Sequence, residues 1–147
     1  MANGHTPLVA GNPPSPNGGW STEICTLSDA TVFPPVVSSM VQACGVQESD
    51  GSYCLQSATW RGGRQTMIAS ASPVEPVETL KGRYLFAGQL WYHFGHYMVE
   101  SLSRLWALDH LDEKPDGIIF IPKRPGGRPA LIGYKKSFWT FWASTFR

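Results

Sequence analysis

The rhythm of apolar and polar positions changes twice along the chain. Over residues 1–19 no apolar period can be traced, because Gly, Pro and Asn take eleven of the nineteen positions. Such a segment buries too little apolar surface to offset the entropy of ordering, and it reads as a disordered tail. From 20 to 71 the apolar signals are short. Residues 31–37 and 53–60 are rich in β-branched and aromatic side chains. Pro34 and Pro35 confine the first of these strands to an edge or an irregular extended segment. Arg61-Gly62-Gly63-Arg64 reads as a hairpin turn. Residues 72–80, SPVEPVETL, form an extended connection, and 82–90, GRYLFAGQL, a strand bounded by glycine.

The second half has longer periods. Met98, Leu102, Leu105 and Trp106, flanked by Val99 and Leu108, recur at helical spacing and predict an amphipathic helix over 94–111. Pro115, Asp116 and Gly117 stop it. The continuous apolar run Ile118-Ile119-Phe120-Ile121 marks a strand buried on both faces of a parallel sheet. After a loop with Pro125, Gly126, Gly127 and Pro129, the segment 134–146 places Tyr134, Phe138, Phe141 and Trp142 on one face of a second helix. Strand, helix, strand, helix is the opening of an α/β layer fold rather than a complete one.

Composition narrows the function classes. The 147 residues suffice for one domain, which is expected to occupy 20–147. Lys and Arg number 12 against 11 Asp and Glu, a net charge of +1, and no long run of either sign forms the footprint of a nucleic-acid binder. The longest uncharged apolar runs fall far short of the ~20 residues of a membrane span. The N-terminus has neither the basic region nor the apolar stretch of a secretory signal. Cys25, Cys44 and Cys54 are odd in number and lack a CxxC pair, so reduced thiols in a cytoplasmic protein are expected.

The unusual chemistry is concentrated between Trp91 and Leu108. At about 100° per residue, a helix beginning at His93 gathers His93, His96, Glu100 and Arg104 within about 80° of arc. Two imidazoles, a carboxylate and a guanidinium just after a strand stand where ligands sit in open α/β sheets. An imidazole there can take a hydroxyl proton while a carboxylate one turn away orients it. Each residue also has a plainer reading. Glu100 and Arg104 are spaced as an ordinary surface pair worth about 0.2–0.5 kcal/mol, and each histidine alone is a capping or solvated one. His93, His96 and Glu100 also make a metal-ligand set, as in a metal-dependent hydrolase, but the spacing H-x-x-H-x-x-x-E differs from the zinc-helix pattern and no fourth ligand stands out. Lys123, Arg124 and Arg128 follow the 118–121 strand, where they either hold an anionic substrate group or form a solvated loop.

The run GQLWYHFGHYMVESLSRLWAL, residues 88–108, resembles the signature of glycosyltransferase family 61, the capsular polysaccharide biosynthesis type. The matching positions are a glycine after a strand, His93-Phe94-Gly95-His96, the aromatic Tyr97, Glu100-Ser101-Leu102, and Arg104-Leu105-Trp106-Ala107-Leu108. The resemblance implies an inverting, nucleotide-sugar-dependent enzyme of GT-B type that needs no bound metal or cofactor. The chain is then an incomplete Rossmann-like domain, the acceptor-side half, truncated at the C-terminus and inactive alone. Its partners are a saccharide acceptor, a nucleotide sugar, and a missing C-terminal half or partner chain. His96 is expected as base, Glu100 as its support and His93 as the residue that places the acceptor, with Arg104, Lys123 and Arg124 binding substrate. A second reading is a non-catalytic interaction module or remnant that pairs through an exposed sheet edge and the aromatic helix.

Overall fold

The computed structural model describes residues 8–10, 23–61, 63–126, 130–133 and 141–142. In chain order the strands are β1 (Leu8–Ala10), β2 (Ile24–Thr26), β3 (Thr31–Phe33), β4 (Gln42–Ala43), β5 (Gly45–Gln47), β6 (Trp60–Arg61), β7 (Arg64–Gln65), β8 (Met67–Ile68), β9 (Tyr84–Leu90), β10 (Gly117–Pro122), β11 (Ala130–Gly133) and β12 (Phe141–Trp142). One helical turn, α1 (Phe94–His96), runs into a π-turn at Tyr97–Ser101, and 3-10 turns occupy Leu55–Ser57 and Leu105–Asp109.

The two apolar strands read from the sequence, β9 and β10, lie parallel at the centre of a six-stranded sheet ordered β12-β11-β10-β9-β1-β2. β1 pairs with β9 in parallel, and β2, β11 and β12 add antiparallel edges. Every residue of β10 is buried, as expected of a strand covered on both faces. Ile119 and Ile121 face a cluster with Phe33, Cys44, Val46, Cys54, Met67 and Phe86. Ile118 and Phe120 face Leu85, Ala87 and Ala107 on the other side, where Leu105, Trp106 and Leu108 pack. The first face is covered by residues of the β3-β5 pair, of β8 and of the turn at Cys54, and the second by the crossover between β9 and β10. Burying each large apolar side chain here contributes about 1.5–3 kcal/mol before conformational entropy is subtracted.

A bulge in β9 decides which way the chain leaves the sheet. Ile119 pairs with Phe86 but Phe120 with Gly88, so Ala87 is an extra residue and the side-chain alternation slips by one. Gly88 has φ +88, which a glycine takes without penalty. The slip turns Gln89 to the side of Cys44 and Gln42, and Leu90 to the side of Ala107.

Several expectations need correction. The continuous helix over 94–111 is absent: α1, the π-turn and the Leu105–Asp109 turn are three windings in succession. Ser103 Oγ donates to the Glu100 carbonyl and Leu102 N–H reaches back five residues to Tyr97, so the α-pattern is lost where serines compete for backbone groups. Met98 and Val99 are consequently exposed rather than core. The stretch 53–60 is not one continuous strand: Tyr53 bridges to Gln47 and Trp60 opens β6, but between them Ser57 Oγ donates to Cys54 O and accepts from Val46 N–H, closing a 3-10 turn. Phe141–Trp142 is a strand, paired antiparallel with Leu131 and Ile132, where a helix was expected, because β11 offers it an open edge. The rest of the 134–146 segment lies outside the described residues. Of the 1–19 tail, Leu8–Ala10 forms β1, an apolar triplet whose backbone pairs along the edge of β9, and the remainder lies outside the described residues.

Other readings hold. β3 ends at Phe33, immediately before the two prolines. Arg61 pairs with Arg64 across an antiparallel hairpin. Residues 72–80 carry neither helix nor strand. Among the described residues no helix is long and apolar enough to cross a membrane.

Candidate functional site

The site lies at the carboxyl ends of the two central strands. Trp91 follows β9 directly, and its N–H donates to Ser101 Oγ at 2.9 Å. Ser101 Oγ donates in turn to Gln89 O at 3.0 Å. This fully buried hydroxyl staples the π-turn to the end of the strand and fixes how Trp91 and the helical segment meet. A serine is therefore required by the backbone at that position, and its place in the Glu100-Ser101-Leu102 motif has a structural cause.

His96 Nδ1 lies 2.6 Å from Glu100 Oε1. Arg61 Nη2 donates to the same carboxylate oxygen and stands 2.9 Å from His96 Nδ1. Oε1 can only accept, so a His96 that bonds to it carries its proton on Nδ1, and Arg61 donates to that same oxygen rather than to Nδ1. The lone pair is then left on Nε2, the tautomer that a general base requires. Glu100 is mostly covered, whereas the His96 side chain is 40% exposed, so the oriented ring faces solvent and its carboxylate support does not.

Trp91 forms the floor beside this group. Its ring packs against His96 with centroids 4.6 Å apart. Arg61 Cζ lies 4.6 Å and Lys123 Nζ 5.0 Å from the Trp91 ring centroid. The placement of Lys123 comes from Gln42, a buried carboxamide with all its capacity used. Gln42 Nε2 donates to Val37 O and Lys123 O, while its Oε1 accepts from Gln89 Nε2 and from Lys123 Nζ. Partial burial and the nearby Arg61 lower the Lys123 pKa, while Cys44 and Glu100 act against this.

The expected residues do not all gather here. His93 stands at the N-cap of α1 without a side-chain capping bond, exposed, with its ring 5.5 Å from that of His96. Arg124 is exposed at the turn that follows β10. Arg104 leaves the group altogether: it is buried, donates to the carbonyls of Gln56, Ser57 and Ala58, and lies over the Phe86 ring. Burial pulls its pKa down to about 10, so it stays cationic at neutral pH. The π-turn causes this separation, because the extra residue it winds in carries position 104 round from the exposed stripe to the core. Arg128 lies outside the described residues.

Arg61, Trp91, Gln42 and Ser101 complete the site and were not singled out by spacing. The one available signal for Arg61 was the hairpin turn, which delivers a cation without naming its target. Among the described residues no three His, Cys, Asp or Glu side chains converge as a metal ion would require. What the group offers chemically is a carboxylate-oriented imidazole beside an aromatic floor flanked by two cations. Compared with protein-family models, curated proteins and solved structures, the chain finds no match in any of the three.

Proposed function

We propose that this chain carries the acceptor-activating site of an inverting, nucleotide-sugar-dependent glycosyltransferase of capsular or other extracellular polysaccharide assembly. One observation carries the reading: Glu100 Oε1 lies 2.6 Å from His96 Nδ1, and the half-exposed imidazole it orients stands beside Trp91. Sugars place their C–H faces on aromatic rings, and a saccharide seated at Trp91 brings a hydroxyl to Nε2. His96 takes the hydroxyl proton as the oxygen attacks the anomeric carbon. Glu100 stabilises the imidazolium formed, and the nucleoside diphosphate departs from the opposite face. Arg61 and Lys123 add positive charge near the departing group, and His93 borders the acceptor. In this reading the nucleotide sugar is held by a second Rossmann-like unit, as in the family that the Gly88–Leu108 motif resembles.

The test measures two things on the purified chain. Saturation-transfer NMR against a set of oligosaccharides is expected to show acceptor signals that Trp91→Ala abolishes and His96→Gln retains. Sugar transfer from a panel of nucleotide sugars is expected to be absent with the chain alone. Turnover by the chain alone overturns the assignment of the donor site to a second unit. No engagement of any saccharide overturns the glycosyltransferase reading. A non-catalytic interaction module is the second reading, favoured by the exposed apolar residues Tyr92, Phe94, Met98 and Val99 around the same turn. It predicts a self-associating chain whose oligomer is broken by Phe94→Ser and Val99→Ser with no loss of folding.

A further inference from the structure

We propose that Cys25 and Cys54 are a redox modification site that closes reversibly to a disulfide and staples the edge of the sheet to the turn that cages Arg104. Their sulfurs lie 4.0 Å apart although 29 positions separate them in sequence. A disulfide needs about 2.05 Å, so closure asks for roughly 2 Å of combined side-chain rotation and strand shift. β2 can supply this, because it is the outermost strand and pairs with β1 alone through three residues.

The two thiols are chemically unequal. Cys54 begins the Leu55–Ser57 turn, where a hydrogen bond from Cys25 and the backbone amides of Ser57 and Gln56 hold its pKa down to about 7. With Cys54 the more acidic of the two, Cys25 serves as donor, and the bond together with burial raises its own pKa. A thiolate beside a protonated thiol is the arrangement of an attacking and a resolving cysteine. Cys44 is as buried as Cys54 but differs in its surroundings: burial pushes its thiol up to about 12, and it is engaged with Gln42 O and Gln89 rather than with a second thiol.

The oxidant is a small-molecule disulfide. When the edge strand β2 frays it uncovers Cys54, which is otherwise buried, and the Cys54 thiolate attacks one sulfur of the reagent and expels the other as a thiolate. Cys25 then passes its proton to solvent and attacks Cys54 Sγ, expelling the second reagent thiolate. Two protein thiols are oxidised, one reagent disulfide is reduced to two thiols, and the protons end on the products. Since Cys54 heads the segment whose carbonyls at Gln56, Ser57 and Ala58 hold Arg104, the bond ties β2 to the anchor of the crossover.

The experiment equilibrates the whole chain with oxidised and reduced glutathione at pH 7.5, both native and in denaturant, and maps the linkages by mass spectrometry. Cleavage at Met40 and Glu48 puts the three cysteines on separate peptides. In the denatured chain, loop closure favours Cys44–Cys54, only ten positions apart. In the native chain the Cys25–Cys54 linkage alone is expected, reversed by reduced glutathione, with Cys44 left as a thiol. The oxidised form is expected to melt roughly 5–10 °C higher than the reduced form. Native pairing that matches the denatured distribution, any linkage through Cys44, or three thiols surviving the oxidised buffer overturns the proposal.

Discussion

Arg104 shows how one side chain can be recruited away from a surface motif into the core. Its guanidinium is buried among three backbone carbonyls and over the Phe86 ring, with Tyr53 and the Cys54 and Cys25 thiols near enough to favour its charge. Removing it leaves Gln56, Ser57 and Ala58 with unpaired buried oxygens, each costing about 1–3 kcal/mol. Arg104→Met is therefore expected to lose about 3–5 kcal/mol in urea unfolding. Arg104→Lys, which keeps the charge but cannot fork to three acceptors, should fall between the two. A melt of Arg104→Met that overlays the parent would rule out the cage as a stabilising element. Gly45 is constrained in another way. It sits at φ +137, and a Cβ there would meet Tyr53 Oη at 2.6 Å and Ser57 Oγ at 2.7 Å. Gly45→Ala should destabilise the β3-β5 layer by about 2–4 kcal/mol in the same assay.

At the scale of elements, the bulge in β9 and the π-turn after it aim the site between them. Gly88→Ala places a Cβ 3.4 Å from Arg104 Nε and forces a φ of +88 on alanine. The expected cost is about 1–2 kcal/mol. Ser101→Ala removes the staple to Gln89 and Trp91 without touching any exposed surface of the site, and should weaken saccharide binding several-fold while His96 and Glu100 remain paired. A binding isotherm for Ser101→Ala that coincides with the parent's would show that the staple does not position Trp91. These elements also mark the limit of what the sequence discloses. β10 was legible because a short uninterrupted apolar run between turn residues suits a strand covered on both sides, and β9 because glycine bounds a stretch rich in aromatic and apolar residues. The His96 and Glu100 pairing was legible because it is local. The helix beyond Glu100 was not, because Ser101, Ser103 and Arg104 choose partners that no periodicity shows, the last of them 46 to 48 positions away. Arg61 was missed for the same reason: its meeting with Glu100 spans 39 positions and exists only once the hairpin has docked.

For the whole molecule, the thiols set an alkaline limit to stability. Cys54 titrates near 7 when folded against an ordinary value of 9.0, while Cys25 titrates well above it. Between pH 7 and 9 the unfolded chain binds more protons than the folded one, so stability rises with pH. Above pH 9 the unfolded chain releases protons that folded Cys25 and Cys44 retain, and stability falls. The midpoint of denaturation under reducing conditions should therefore peak near pH 9, and Cys54→Ser should remove the rise below that pH. A profile flat from pH 7 to 9 in the parent would contradict the hydrogen bond from Cys25 to Cys54.

The Gln42 carboxamide has a consequence in time as well as in space. It joins Gln89, 47 positions on, and Lys123, 81 positions on, so its bonds require two long chain closures. Local turns form early in folding, and long closures form late because their entropy cost must be met before any contact rewards it. The hairpin that carries Arg61 and the turn that carries His96 can exist before Gln42 finds its partners, but Lys123 cannot take its place beside Trp91 until it does. In a stopped-flow refolding experiment, recovery of saccharide binding is expected to lag behind burial of the β9 and β10 core. Ordering of the strands and ordering of the site are then successive events, separated by the arrival of one buried amide.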